Sequence, residues 1–185
     1  NLWIVPTWHD AQDEVGRINL RLDPGLAFGT GSHPTTRVCL QWLASEMPEK
    51  LKGSTVLDYG CGSGILAIAA KKLGAGVVMG TDIDPQAVQS AVDNAAANDT
   101  EATFVLPDGM VDGATYDVVV ANILSNPLKL LASALVSRVG QGGHLVLSGI
   151  LERQTDELIE AYAPYMKMAL WRADDGWIAL VGQKV

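Results

Sequence analysis

Two features of the sequence carry residue types able to grip a small charged ligand. The first is Asp58-Tyr59-Gly60-Cys61-Gly62-Ser63-Gly64, an acidic residue followed by alternating glycines. The second is Asp82, eighteen residues past Gly64. Glycines at this spacing let the backbone turn sharply and approach a ligand closely. An acidic residue ending the next strand is placed to accept hydrogen bonds from both hydroxyls of a ribose. Dinucleotide binders need a further glycine where this chain has Ile65, and Asp58 would sit badly beside a pyrophosphate. The ligand that fits has an ammonium, a sulfonium and a free ribose but no phosphate. S-adenosylmethionine answers that description.

Other positions are candidates with a plainer reading beside them. Asn122 ends a strand across the expected crevice, where its amide can align a substrate nitrogen; it can equally be a turn former or a helix cap. Asp108, after the third core strand, is expected near an adenine, although Gly109 makes an ordinary turn as good a reading. His33 can act as a base, but Ser32-His33-Pro34 reads better as a helix start. Thr35 and Thr36 lie in the first turn of that helix, where hydroxyls and free N–H groups can bind a carboxylate. Cys61 reads as a small filler rather than a nucleophile. The five tryptophans read as core or rim packing.

These residues need a scaffold that brings them together. From Ser54 onward, short β-branched runs alternate with helical stretches, as in a parallel sheet covered by helices. Expected strands are 55–57, 77–81, 103–106, 117–121 and 145–147, with helices over 63–73, 84–98, 128–139 and 154–162. A closing hairpin is expected over 168–171 and 177–181, around Asp174-Asp175-Gly176. The expected fold is α/β and Rossmann-like: a mostly parallel seven-stranded sheet with a C-terminal antiparallel hairpin and helices on both faces. Residues 54–185 form the cofactor-binding core. Residues 1–53 contribute strands at 2–5 and 18–22, a glycine-rich loop at 23–31 and a helix from Pro34 or Thr35 that buries Val38, Trp42 and Leu43. The two parts make one structural domain.

Composition sets bounds on partners. The 185 residues are 48% hydrophobic and 18% charged, as in an ordinary globular chain. A net charge of −8 speaks against a broad nucleic-acid surface and suits a basic or amine-bearing substrate. No apolar run reaches the roughly 18 residues that span a bilayer, so no membrane partner is expected. Two cysteines make neither a disulfide framework nor a metal cluster, and a cytoplasmic home follows. The chain starts at Asn1 without an initiator Met, and it is expected to be a piece of something longer.

Longer stretches are more specific. Leu22 to Thr36, containing Phe28-Gly29-Thr30-Gly31-Ser32-His33-Pro34-Thr35-Thr36, the Asp58 loop, Asp82-Ile83-Asp84-Pro85, Val120-Ala121-Asn122-Ile123-Leu124 and Leu147-Ser148-Gly149-Ile150-Leu151 closely resemble the bacterial methyltransferases of ribosomal protein L-eleven. The resemblance covers essentially the whole chain. It implies trimethylation of lysine ε-amines and the N-terminal α-amine of a large-subunit ribosomal protein. It also implies cofactor contacts at Thr36, Gly60, Asp82 and Asn122, to which the loop itself adds Asp58, Gly62 and Gly64. The family's N-terminal recognition domain has no counterpart here, and Asn122-Ile123-Leu124 lacks the Pro-Pro-aromatic clamp of many amino-group methyltransferases. Rival readings are a nicotinamide-dependent oxidoreductase, a non-catalytic cofactor-binding module, and a methyltransferase for another protein or a small molecule.

Overall fold

Parallel strands buried on both faces need apolar side chains at every position, and Val118-Val119-Val120-Ala121 is such a run. The computed structural model describes residues 2–5, 17–22 and 33–185. The loop expected at 23–31 lies outside the described residues. Two short strands, β1 (Leu2–Val5) and β2 (Ile18–Arg21), pair in parallel. The main sheet comprises β3 (Thr55–Tyr59), β4 (Val77–Thr81), β5 (Thr103–Val105), β6 (Tyr116–Asn122), β7 (Val139–Leu151), β8 (Met168–Asp174) and β9 (Trp177–Gln183). Its strand order is β5-β4-β3-β6-β7-β9-β8. Strands β3 to β7 run parallel, and β9 lies antiparallel to both of its neighbours. This is the expected α/β architecture.

Alternation along the strands sorts the core into two layers. Val56, Val78, Val118, Val120 and Val146 face α1 (Pro34–Glu46), α2 (Ile65–Lys72) and α3 (Pro85–Ala97). Leu57, Val119, Ala121, Leu145 and Leu147 face α4 (Ser125–Leu130), α5 (Ala132–Ser137) and α6 (Thr155–Tyr162). Val38, Trp42 and Leu43 are buried on α1 as expected. Sequence-encoded caps start the helices: Asp84 Oδ1 accepts from the Gln86 N–H at 2.9 Å, with Pro85 in the first turn of α3. The N-terminal part is joined to the core by Asn98, which donates to the Arg21 carbonyl and accepts from its N–H.

The leucine-rich stretch corrects one expectation. It forms two short helices broken at Leu131, not one helix from 128 to 139, and Val139 opens β7 opposite Tyr116. The break has a local chemistry. The Leu128 carbonyl accepts from the Tyr162 hydroxyl at 2.7 Å rather than continuing the helical ladder. Beyond Ser137, the run Gly140-Gln141-Gly142-Gly143 has poor helix propensity and enters the sheet. A Cβ on Gly143 would stand 2.8 Å from the Gly140 carbonyl oxygen, so this crowded strand entry needs glycine. Strand β7 is thus much longer than the expected 145–147. The hairpin is as expected, turning at Asp175 and Gly176 with φ of 51° and 81°, the signs of a type I′ turn. Arg37 of α1 holds its near side, donating from Nε and Nη2 to the two oxygens of Asp174 at 3.0 and 3.2 Å.

The Tyr162 hydroxyl is buried, and burial pushes its pKa up, so it remains a donor. Tyr162→Phe leaves the Leu128 carbonyl without this partner and is expected to cost about 1–2 kcal/mol in urea unfolding. An unchanged midpoint would show that the break at Leu131 does not depend on this bond.

Candidate active site

Strands β3 and β6 are neighbours, but the helices that follow them pack on opposite faces. A crevice therefore opens beyond their C-terminal ends, where ligands bind in such sheets. The cavity there has a volume of about 560 Å³. The ends of β3, β4 and β6, the start of α1, Gly149 of β7 and Trp177 of β9 line it.

The glycine turn is pinned to the end of β4. The N–H groups of Gly60 and Cys61 both donate to the Thr81 carbonyl, at 2.8 and 2.9 Å. Gly62 donates to Asp82 Oδ2 at 2.9 Å, and Asp82 Oδ1 accepts from the Asp84 N–H at 3.0 Å. Each Asp82 oxygen keeps a further lone pair toward the cavity. Gly60, Gly62 and Gly64 have φ of 75°, 52° and 81°, a region that side chains rarely adopt. Gly60 also admits Ile123, whose Cγ2 lies 2.5 Å from where a Cβ would stand. Gly64 does not line the cavity. It caps α2 and lets that helix close on Ala91 of α3.

Asp58 is 1% exposed and accepts from the Ala67 N–H at 3.1 Å. Burial pushes its carboxyl up to about 7; the Ala67 bond opposes this, and the charge of Asp82 adds to it. Across the cavity, Asn122 Nδ2 donates to Thr36 Oγ1 at 3.3 Å. Asn122 Oδ1 is buried and has no partner among the described residues, and neither has Thr81 Oγ1, which also lines the cavity. These orphaned polar atoms are what a bound ligand would satisfy.

His33 takes the capping role: its Nδ1 accepts from the Thr35 N–H at 3.3 Å and lies 2.8 Å from Thr35 Oγ1. Its ring meets Trp177 edge-on at 5.2 Å, and both line the cavity. The sequence gives Trp177 no special standing among five tryptophans, although its place just after the Asp175-Gly176 turn aims it back at α1. Trp42 is core, Trp3 is half exposed, and Trp8 lies outside the described residues. Asp108 is exposed in a 3₁₀ turn, and the cavity touches Pro107 instead. Cys61 is buried, with burial raising its thiol pKa, as befits a filler. No cluster of metal-ligating side chains occurs among the described residues. Nor is any helix among them long and apolar enough to cross a membrane.

The model of the family Ribosomal protein L11 methyltransferase (PrmA) matches residues 1–185. The chain belongs to the ribosomal protein L11 methyltransferase family. It is 60% identical over 183 residues to the ribosomal protein L11 methyltransferase of Cupriavidus metallidurans, covering 99% of this chain and 59% of that one. The chain thus spans about three fifths of the length of the curated family members it matches. Among solved structures, it resembles the ribosomal protein L11 methylase of Lactobacillus delbrueckii subsp. bulgaricus, with a TM-score of 0.85 and 38% identity. That match covers 100% of this chain and 95% of that one. A T. thermophilus 16S rRNA methyltransferase in complex with AdoMet and guanosine shares the fold, at a TM-score of 0.73 and 21% identity over 86% of this chain and 45% of that one.

The family's buried Asp58 yields a stability prediction for this chain. A carboxyl with a raised folded-state pKa holds its proton more tightly when folded. The stability it confers is full below the ordinary value of 3.8 and is lost as pH rises through about 7. Relative to Asp58→Asn, the ligand-free protein should therefore lose melting temperature across that interval. Parallel pH profiles in scanning calorimetry would contradict the burial effect.

Proposed function

We propose that this chain is an S-adenosylmethionine-dependent protein N-methyltransferase that trimethylates lysine ε-amines and the N-terminal α-amine of ribosomal protein L11. Family membership supports the reaction class. The observation that carries the site assignment is the convergence in one cavity of Asp58, Asp82 and the unpartnered Asn122 Oδ1. A ribosomal substrate puts the work in the cytoplasm. Residues 54–185 are the cofactor-binding core, on which 1–53 pack as part of one domain.

Each residue has a definite task. When bound, S-adenosylmethionine supplies an electrophilic methyl group on a sulfonium. Asp82 accepts from the ribose hydroxyls while its other lone pairs hold Gly62 and Asp84 in place. Asp58 faces the ammonium, and the bare backbone of Gly60 and Gly62 lets the ligand approach. Gly64 serves by shaping the turn; Asp108, exposed and off the lining, is not carried into this assignment. Thr36 orients the Asn122 amide, whose Oδ1 accepts an N–H from the incoming amine and aligns its lone pair. A lysine amine, with an ordinary pKa of about 10.4, must shed a proton first. The apolar Ile123, Leu124 and Pro127 walls favour the neutral form, and water takes the proton. The Trp177 face suits methylated ammonium intermediates through cation–π attraction. Holding nitrogen and methyl carbon in line supplies much of the rate.

Radiolabelled methyl transfer to ribosomal protein L11, compared with other ribosomal proteins, tests the reading. Label should enter L11 amines, and Asp82→Ala should weaken cofactor affinity by about 1.5–3 kcal/mol through loss of charge-assisted hydrogen bonds. Label in no acceptor, with cofactor binding intact, would leave a binding module instead. Unchanged affinity in Asp82→Ala would sink the ribose assignment.

A further inference from the structure

Ile123, which follows Asn122, is seated between two positions that lack side chains. On one side its Cγ2 packs on Gly60. On the other, Gly149 has φ +89°, and a Cβ there would overlap the Ile123 carbonyl oxygen and stand 2.6 Å from its carbon. This second contact is with backbone, so no rotamer change relieves it. Gly149 sits where β7 slips register with β9, between Leu147 and Ile150. Ser148 locks that irregularity. Its Oγ donates to the Ile178 carbonyl at 2.9 Å, and its own carbonyl accepts from the Ile123 N–H at 3.2 Å. Ser148 is also the register partner of Asn122 on β6.

The peptide after Asn122 is therefore fixed against bare backbone, and the Asn122 side chain takes its direction from it. That direction brings Nδ2 to Thr36 and leaves Oδ1 buried and unpartnered. We propose that Gly149 is a positioning residue for methyl transfer: by admitting the Ile123 carbonyl where a Cβ would stand, it sets the aim of Asn122 Oδ1 at the incoming amine. The proposal rests on the methyl-transfer reading above. It adds a determinant from the far strand β7, separate from the glycine turn and Asp82.

Gly149→Ala tests it, with Gly142→Ala as control. Gly142 has φ +76° but open space around it, so alanine there brings comparable backbone strain without a clash. Gly149→Ala is expected to lower kcat by about thirtyfold or more, since small misplacements of an aligning group are costly. S-adenosylmethionine affinity in calorimetry should change by less than about threefold, because Asp82 and the glycine turn are untouched. The Asn122 side-chain amide resonances should shift. Gly142→Ala should leave both resonances and kcat essentially unchanged. Unmoved Asn122 resonances, or a kcat loss matched by the control, would overturn the proposal. Were wild type to transfer no methyl group at all, the functional reading would fail while the resonances still judged the positioning. Should Gly149→Ala not fold, Ser148→Ala loosens the same irregularity and is expected to shift those resonances. Unaltered resonances in that variant would equally overturn the proposal.

Discussion

The site depends on how one backbone turn is held. After β3 the chain reverses into α2 through residues in left-handed conformations, and three of its N–H groups are spent on the end of β4. Two go to the Thr81 carbonyl and one to the Asp82 carboxylate. Those bonds couple the turn to the acidic residue, so cavity floor and ribose-facing carboxylate are positioned together. Burial of Asp58 beneath the same turn follows, because its oxygen satisfies the Ala67 N–H inside α2. The cost of that burial appears as its raised pKa.

The opposite wall is built by different means. The end of β6 is held by packing against glycine on both sides, and Asn122 is tied to Thr36 in the first turn of α1. His33 starts that helix and leans on Trp177, while Arg37 one turn later pairs with Asp174 across the hairpin from Trp177. The hairpin and α1 thus close the cavity's outer side jointly. The crevice is where three remote stretches of sequence meet: the start of α1, the glycine turn, and the β7–β9 region.

Much of this was legible in the residues. The Asp58 loop and Asp82 are local motifs whose spacing follows from one strand-turn-helix-strand unit. Asn122 was readable because a run of β-branched residues ends there. His33 could be weighed as a cap because Pro34 follows it. Gly149 and Trp177 were harder, since their roles arise from register across antiparallel strands, which local patterns do not encode. The break at Leu131 escaped notice for a similar reason. Its periodicity is helical, and what interrupts it is a hydroxyl from Tyr162, thirty-four residues beyond Leu128. Asp108 looked suitable by position after a strand, but the 3₁₀ turn directs it to solvent and leaves Pro107 at the cavity.

A carboxylate-lined crevice without a third dinucleotide glycine should discriminate sharply between two adenosine ligands. Side-by-side calorimetric titration with S-adenosylmethionine and with NAD is the most direct measurement. Saturable one-site binding of S-adenosylmethionine with no heat from NAD is the result predicted. Equal or tighter binding of NAD would contradict the cofactor assignment on which the rest is built.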